Sequence, residues 1–269
     1  IRDPAIVQEI DSLILESTYG SRIHKSFDEM GEELKTLLAA GRGQNSKMII
    51  PSFAVERTQL LIKILKDFYE EGLLKEIPVY VDSPLAKDVT DVYENHPECF
   101  DEETYKLFLS SDPFNFSGLI YLRTVVESKR LNDMQGPMII IAGSGMCEGG
   151  RVLHHLIHSI EKTNNKIIFV GFQAHGTLGR KILEGADRVS IFGDQYELNA
   201  QVHSLTGLSA HADGRDLLEF VGKVKDERLK KKFLIHGELE YAYGLKEKIR
   251  SSGYEISVSI PQSLTEVEI

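Results

Sequence analysis

Three ionisable side chains stand at the ends of apolar runs, beside small or turn-forming residues. Glu16 ends the run in LILESTYG, His211 lies in LSAHADG, and His236 follows the apolar run in FLIHGE. A neutral imidazole in such a turn can ligate a metal or transfer a proton near neutral pH. These three residues are therefore candidates for a metal-binding or acid–base site.

Two glycine-rich segments also follow apolar runs, GSGMCEGGR at 143–151 and GFQAHGTLGR at 171–180. Their glycines would let backbone N–H groups approach an anion near a helix N-terminus, and Arg151 and Arg180 could reach a phosphate. Neither segment contains the GK[ST] of a nucleoside-triphosphate loop. The pair favours a phosphodiester-binding surface, with ordinary tight turns as the alternative.

The chain alternates between apolar runs and amphipathic stretches. Predicted strands are 12–16, 47–53, 77–83, 137–144, 166–172, 189–193 and 232–237. Predicted helices are 27–40, 55–70, 84–95, 149–162, 177–184, 213–224 and 239–251. Unbroken apolar strands between helices are typical of a parallel sheet covered on both faces, so we expect an α/β fold. Polar and apolar residues alternate over 195–208, which predicts a half-buried strand and leaves its pairing, parallel or antiparallel, open. Residues 97–118 look irregular.

Ligands of open α/β sheets bind beyond the carboxyl ends of the strands. Asp82 and Ser83 follow such a strand, and we expect them to line a cleft with the residues above. The histidines of RVLHHLIH have helical spacing for a metal pair, but no third ligand accompanies them, so we interpret them as ordinary helix residues.

The composition argues against several classes of function. The 269 residues carry a formal net charge of −10, which argues against non-specific nucleic-acid binding through bulk charge. The two cysteines, Cys99 and Cys147, are far apart, so a disulfide framework is not expected and a reducing cytoplasm fits. No run reaches the ~20 apolar residues of a membrane span, and no membrane partner is expected.

Seven segments together resemble the β-CASP branch of the metallo-β-lactamase-fold nucleases, which includes the polyadenylation endonuclease subunit and RNase J. They are LILESTYGSRIH, PSFAVERTQ, DSPLA, GSGMCEGGR, GTLGR, LSAHADG and LIHGE, in the family's order and approximate spacing. The resemblance implies a Rossmann-like parallel-sheet β-CASP domain inserted in an αββα sandwich. Residues 1–24 would end the first sandwich segment, 25–194 would form the β-CASP domain, and 195–269 would be the C-terminal sandwich segment.

The resemblance also implies roles for single residues. His236 would ligate zinc, His211 would face the scissile phosphate as general acid or transition-state stabiliser, and Glu16 would hold His211 in orientation. Contacts with RNA phosphates are expected from four further residues, Arg57, Ser144, Arg180 and Ser209. The family's HxHxDH motif, which supplies most ligands of two zinc ions, is absent, and only fifteen residues precede Glu16. We therefore expect the chain to be the β-CASP and C-terminal part of a longer enzyme, inactive alone.

The sequence thus predicts a zinc-dependent ribonuclease acting on RNA, with a homodimer left open. A non-catalytic RNA-binding or scaffold subunit is the main alternative. A nucleotide-binding α/β enzyme would explain the glycine-rich segments but leaves Glu16, His211 and His236 without roles, and the ribose-binding acid of the dinucleotide fingerprint is missing.

Overall fold

The computed structural model describes residues 5–205, 207–224, 228–253, 257–262 and 266, apart from the side chains of residues 103 and 110. The strands are β1 (Ser12–Glu16), β2 (Lys47–Pro51), β3 (Val79–Asp82), β4 (Leu119–Tyr121), β5 (Met138–Ala142), β6 (Lys166–Phe169), β7 (Arg188–Ile191), β8 (Asp194–Glu197), β9 (Gln201–Ser204), β10 (Lys231–Ile235) and β11 (Ser257–Ser259). The α-helices are α1 (Phe27–Gly43), α2 (Arg57–Glu70), α3 (Pro84–Asn95), α4 (Glu102–Ser110), α5 (Val125–Asp133), α6 (Arg151–Ile157), α7 (Leu178–Leu183), α8 (Gly214–Lys223) and α9 (Leu239–Ser251), with a 3₁₀ turn at Pro97–Cys99.

The described residues form two compact units. One is Lys25–Ser209, and the other combines the described parts of Asp3–His24 and Ala210–Ile269. The first unit ends later than the predicted β-CASP domain because β9 is a strand of its sheet. The predicted domain boundary between residues 194 and 195 stays a prediction. Among the described residues, no helix has the length and hydropathy to cross a bilayer.

The first unit contains a six-stranded sheet in the order β4-β3-β5-β2-β6-β9, and all its pairings are parallel. Consecutive residues of β5 point to opposite faces, as the pleat requires. Ile139 and Ile141 join one apolar cluster with α1 and α2, and Ile140 joins another with α6. Burial on both faces explains why these strands are unbroken apolar runs. The expected α/β fold with a parallel sheet is confirmed.

The helix α2 carries the apolar stripe expected from its spacing. Leu61, Ile64, Leu65 and Phe68 are all buried in the first unit. The start of α1 is a capping box, in which Ser26 and Glu29 satisfy each other's backbone N–H groups. Periodicity therefore accounts for the buried face of α2, and the capping box accounts for the start of α1.

Two regions differ from expectation. Residues 97–118 were predicted to be irregular, but α4 forms there, and its N-cap Asp101 accepts the backbone N–H of Thr104. Residues 195–208 are not one strand. The strand β8 pairs antiparallel with β7 through a Phe192–Gly193 turn at positive φ, whereas β9 is parallel to β6. The alternation of polar and apolar residues predicted the half-burial of β9 correctly, but β8 is mostly exposed and the pattern could not separate the two short strands.

The second unit is a parallel three-stranded sheet in the order β1-β10-β11, packed against α8 and α9. Leu13 of β1 and Leu234 of β10 contribute to its core. In the register of this sheet, Glu16 lies beside Ile235. Because the two strands run in the same direction, the residues that follow each of them emerge at the same edge. This register brings the ESTYG and IHGE segments together.

Candidate active site

The turn that carries His211 is tied to the segment after β1. Tyr19 and Asp213 form an isolated parallel bridge, and the backbone N–H of Gly214 donates to the carbonyl of Arg22 at 2.9 Å. Asp213 is also the N-cap of α8, where it accepts the N–H groups of Arg215 at 2.8 Å and Asp216 at 3.0 Å. The helix start thus fixes the position of the turn before it.

His24 and Asp213 reinforce this arrangement. Asp213 is fully buried and accepts the backbone N–H of His24 at 2.8 Å, while Nε2 of His24 lies 3.1 Å from the carbonyl oxygen of His211. Burial alone would raise the pKa of Asp213, but the backbone N–H groups of Asp216, His24 and Arg215 outweigh it and hold that pKa below its usual range. Asp213 is therefore a charged support for the turn.

Glu16 and His211 form a direct pair. Nδ1 of His211 lies 2.5 Å from Oε2 of Glu16, although the two residues are 195 positions apart in sequence. The second carboxylate oxygen accepts the backbone N–H of Ala212 at 3.3 Å. The side chains are 27% and 37% exposed for Glu16 and His211, so the pair is accessible to a substrate. A carboxylate bonded to Nδ1 fixes the orientation of the ring and leaves Nε2 to face a substrate.

His236 completes the cluster from the end of β10. Its ring centroid is 5.1 Å from that of His211. The residue has a φ of +52°, which is uncommon for a side chain other than glycine. The next residue, Gly237, lies so close to Ser17 that a Cβ there would be 2.6 Å from its backbone. Only glycine fits this approach, so the chain turns sharply enough to place His236 beside the ESTYG segment.

Thr18 touches every member of the cluster. Its hydroxyl lies 2.8 Å from both Oε2 of Glu16 and the backbone carbonyl oxygen of His236. The Nδ1 atoms of His236 and His211 are 3.2 Å and 3.4 Å away from the same oxygen. Sequence reasoning missed Thr18, as it missed Asp213 and the contact of His24. Two features of the sequence could have pointed to these residues. Thr18 lies two residues beyond Glu16, and Asp213 and Asp216 have the spacing of a capping box at the start of α8.

The side chains of this cluster are of types that bind zinc in proteins. Glu16, His211 and His236 each present one ligand atom, and these atoms lie within 4.8 Å of one another. Zinc takes imidazole nitrogen and carboxylate oxygen at about 2.0–2.2 Å, so two ligands of one ion lie within roughly 4.4 Å of each other. Because Glu16 is engaged with His211, His236 is the member of the cluster best able to hold an ion.

The four predicted phosphate contacts belong to the first unit. Arg57 is buried at the start of α2, 3.1 Å from Glu56, and Ser209 is half-buried at the unit's end. Ser144 Oγ accepts the N–H groups of Glu148 at 3.0 Å and Gly149 at 3.2 Å. Arg180 donates to Glu184 at 2.6 Å. Their contact with RNA stays a prediction.

Asp82 does not line a cleft as expected, and for the half-buried Ser83 that role stays a prediction. Asp82 is fully buried and bonded to Arg151, His155 and Ser128, with the arginine and histidine nitrogens at 2.6 Å. Burial would raise the pKa of Asp82, but its bonds to His155, Ser128 and Arg151 outweigh burial and lower that pKa. Ser83 caps α3 by accepting the N–H of Ala86. Sequence cannot reveal this cluster because its members come from separate elements.

Comparison with known proteins identifies two domains in this chain. Residues 58–182 match the model of the Beta-Casp domain, and residues 195–261 match that of the Zn-dependent metallo-hydrolase RNA specificity domain. Ribonuclease TTHA0252 of Thermus thermophilus is 37% identical over 259 residues, which cover 96% of this chain and 58% of that protein. Transcription termination factor FttA of Methanocaldococcus jannaschii is 29% identical over 282 residues, which cover 99% of this chain and 43% of that protein.

The chain thus spans less than two thirds of the length of these relatives. Both matched domains occur in this chain without overlap, the Beta-Casp domain first. The resemblance seen in the sequence motifs is therefore confirmed, and the chain belongs to the β-CASP family of the metallo-β-lactamase fold.

Proposed function

We propose that the natural protein containing this chain is a zinc-dependent ribonuclease that hydrolyses RNA phosphodiester bonds. The observation that carries this proposal is the Glu16–His211 pair beside His236 at one edge of the β1–β10 sheet. The relative named a ribonuclease and the matched RNA specificity domain support RNA as the substrate. The name of that domain supports zinc.

In the proposed reaction, His211 donates a proton from Nε2 to the oxygen that leaves the phosphorus. Glu16 accepts the hydrogen bond from Nδ1 and so holds the ring in the orientation for that transfer. His236 would hold zinc, with two ions expected per chain in the whole enzyme. When bound, the metal supplies a nucleophile from water at neutral pH and neutralises charge on the phosphate. Because the chain's net charge is −10, RNA must be held by local groups, for which we propose Ser144, Arg180 and Ser209. Arg57 would join them only on leaving its buried position beside Glu56.

The test is cleavage of an end-labelled single-stranded RNA by the natural full-length protein, with added zinc and after chelation. Glu16→Gln keeps the size of the side chain but weakens its hold on His211, and we expect a rate about 10- to 100-fold lower. Glu98→Gln is the matched control, because Glu98 pairs with the exposed His96 at 2.9 Å. We expect that control to cut RNA at the wild-type rate.

A non-catalytic RNA-binding or scaffold subunit is the second candidate. That function predicts RNA binding without zinc-dependent cleavage. If the wild-type protein binds the RNA and leaves it intact with zinc present, the ribonuclease proposal is wrong and the second candidate replaces it.

A further inference from the structure

We propose that Thr18 is a positioning residue that fixes which ring nitrogen of His236 carries the hydrogen, and that it braces the Glu16–His211 pair with the same hydroxyl. The significance for catalysis rests on the proposed function, but the hydrogen-bond arrangement does not. Thr18 is 3% exposed and comes two residues after the end of β1. Its place is therefore set by the sheet and by the packing around it.

Counting hydrogens decides the direction of each bond. A threonine hydroxyl donates one hydrogen bond and can accept two. A carboxylate oxygen and a backbone carbonyl only accept, and the hydroxyl lies 2.8 Å from one of each, on Glu16 and His236. These two oxygens take or share its single hydrogen, so no hydrogen is left for a third contact. The 3.2 Å contact with Nδ1 of His236 can then be a hydrogen bond only if the ring nitrogen is the donor.

The neutral His236 ring therefore carries its hydrogen on Nδ1, which leaves the lone pair on Nε2. A histidine binds a metal through its unprotonated nitrogen, and the group bonded to the other nitrogen selects which one that is. For His211 the acceptor for Nδ1 is Glu16 at 2.5 Å, so the same assignment holds there. One hydroxyl thus links the tautomer of His236 to the carboxylate that orients His211.

The residue type suits this role. A threonine has a restricted χ1, because two heavy atoms branch from its Cβ, so its hydroxyl keeps one direction more firmly than a serine hydroxyl does. Its neighbour Ser17 provides a contrast within the same segment. Ser17 is also buried, but its hydroxyl donates to the backbone carbonyl of Ile235 at 2.9 Å. Ser17 therefore joins the two strand ends, whereas Thr18 contacts the ionisable groups.

The experiment reads the tautomer directly. The natural full-length protein is labelled with ¹⁵N-histidine and freed of metal. Ring spectra that correlate nitrogen with carbon-bound hydrogen are recorded at a pH where both imidazoles are neutral. We expect wild-type His236 to show the Nδ1–H tautomer. We expect Thr18→Ser to keep it, Thr18→Val to give a mixture of tautomers, and the control Ser17→Ala to match the wild type.

Zinc titration of the same variants gives the second readout. We expect Thr18→Val to weaken zinc binding about 10- to 100-fold, with Ser17→Ala and Thr18→Ser close to wild type. An Nε2–H tautomer for His236 in the wild-type protein would overturn the inference, even if no variant folds. An unchanged tautomer in folded Thr18→Val would also overturn it. If the tautomers are as expected but neither the wild-type protein nor any variant cuts RNA, the inference about Thr18 holds and the proposed function is wrong.

Discussion

Two carboxylate–histidine pairs of almost equal length occupy opposite environments in this protein. His155 and Asp82 are 2.6 Å apart with side chains 1% and 0% exposed, whereas His211 and Glu16 are 2.5 Å apart with side chains 37% and 27% exposed. The buried carboxylate also bonds to Arg151 and Ser128, so it is saturated by donors from α5 and α6. The buried Asp82 carboxylate joins two helices to the end of a strand. The Glu16–His211 pair is accessible, so a phosphate could contact it. Pair geometry alone therefore does not distinguish the two, whereas exposure and neighbouring groups do.

The substitution with the largest expected effect removes the histidine of the accessible pair. In the natural full-length protein, His211→Asn should lower the rate of RNA cleavage about 10²- to 10⁴-fold, the range typical of losing a general acid. Its free energy of unfolding should change by less than about 1 kcal/mol, because exposed pairs contribute little stability. Single-turnover cleavage and urea unfolding measure the two effects. A variant that still cuts at the wild-type rate would show that His211 is not the acid.

The opposite change tests the buried pair. Asp82→Asn leaves Arg151 and His155 without their charged partner, so we expect the first unit to lose about 3–5 kcal/mol of stability. Glu16→Gln is the matched control and should cost about 1 kcal/mol or less. Urea unfolding followed by circular dichroism measures both. Equal losses for the two substitutions would contradict the division between a structural and a catalytic pair.

Gly237 tests whether the accessible site depends on close backbone packing. A Cβ there would meet the backbone of Ser17, so Gly237→Ala should cost about 1–3 kcal/mol of stability and displace His236, with weaker zinc binding. Gly31→Ala is the control, because nothing lies within 4 Å of its Cβ position in α1. That control should stabilise the protein by about 0.5–1 kcal/mol through helix propensity. Thermal unfolding and zinc titration would distinguish the two glycines, and identical behaviour would refute the packing argument.

The smallest expected effect concerns pH. The pKa of Asp82 is lowered in the folded protein, so its ionised form stabilises the fold above the unfolded value of about 3.9. That contribution is lost as the pH falls below about 4 and through the lower folded pKa. Unfolding free energies measured from pH 6 down to pH 3 should fall less steeply for Asp82→Asn than for the wild type. Parallel curves would indicate that other carboxyls, such as the buried Asp213, dominate acid unfolding.

The sequence predicted one of these two pairs and missed the other. Glu16 and His236 were found because each ends an apolar run, and the parallel strands β1 and β10 bring those ends to one edge of the sheet. His211 was found in a turn of small residues, and its pairing with Glu16 was implied by the resemblance to the β-CASP nucleases. The burial of Asp82 could not be read in this way. Its partners follow it by 46 to 73 positions in sequence, and only the packing of α5 and α6 brings them together.

The element pattern shows the same limit. Strands with continuous apolar runs, such as β2 and β5, were predicted because burial on both faces requires those residues. The nine-residue α4 was missed, since a helix this short spans only about two and a half turns of its apolar stripe. Thr18 was missed because its importance lies in contacts with residues more than 190 positions away, and a threonine beside an acid carries no such signal alone.

The central claim is that the accessible cluster is a zinc-dependent catalytic site. The most direct measurement is the zinc content and RNA cleavage rate of the natural full-length protein and its His236→Ala variant. The exposed His96→Ala serves as control. We predict that His236→Ala loses at least one bound zinc per chain and at least about 10²-fold in rate, as expected when a metal that activates water is lost. A His236→Ala protein that keeps its zinc and cleaves RNA like the wild type would contradict the account.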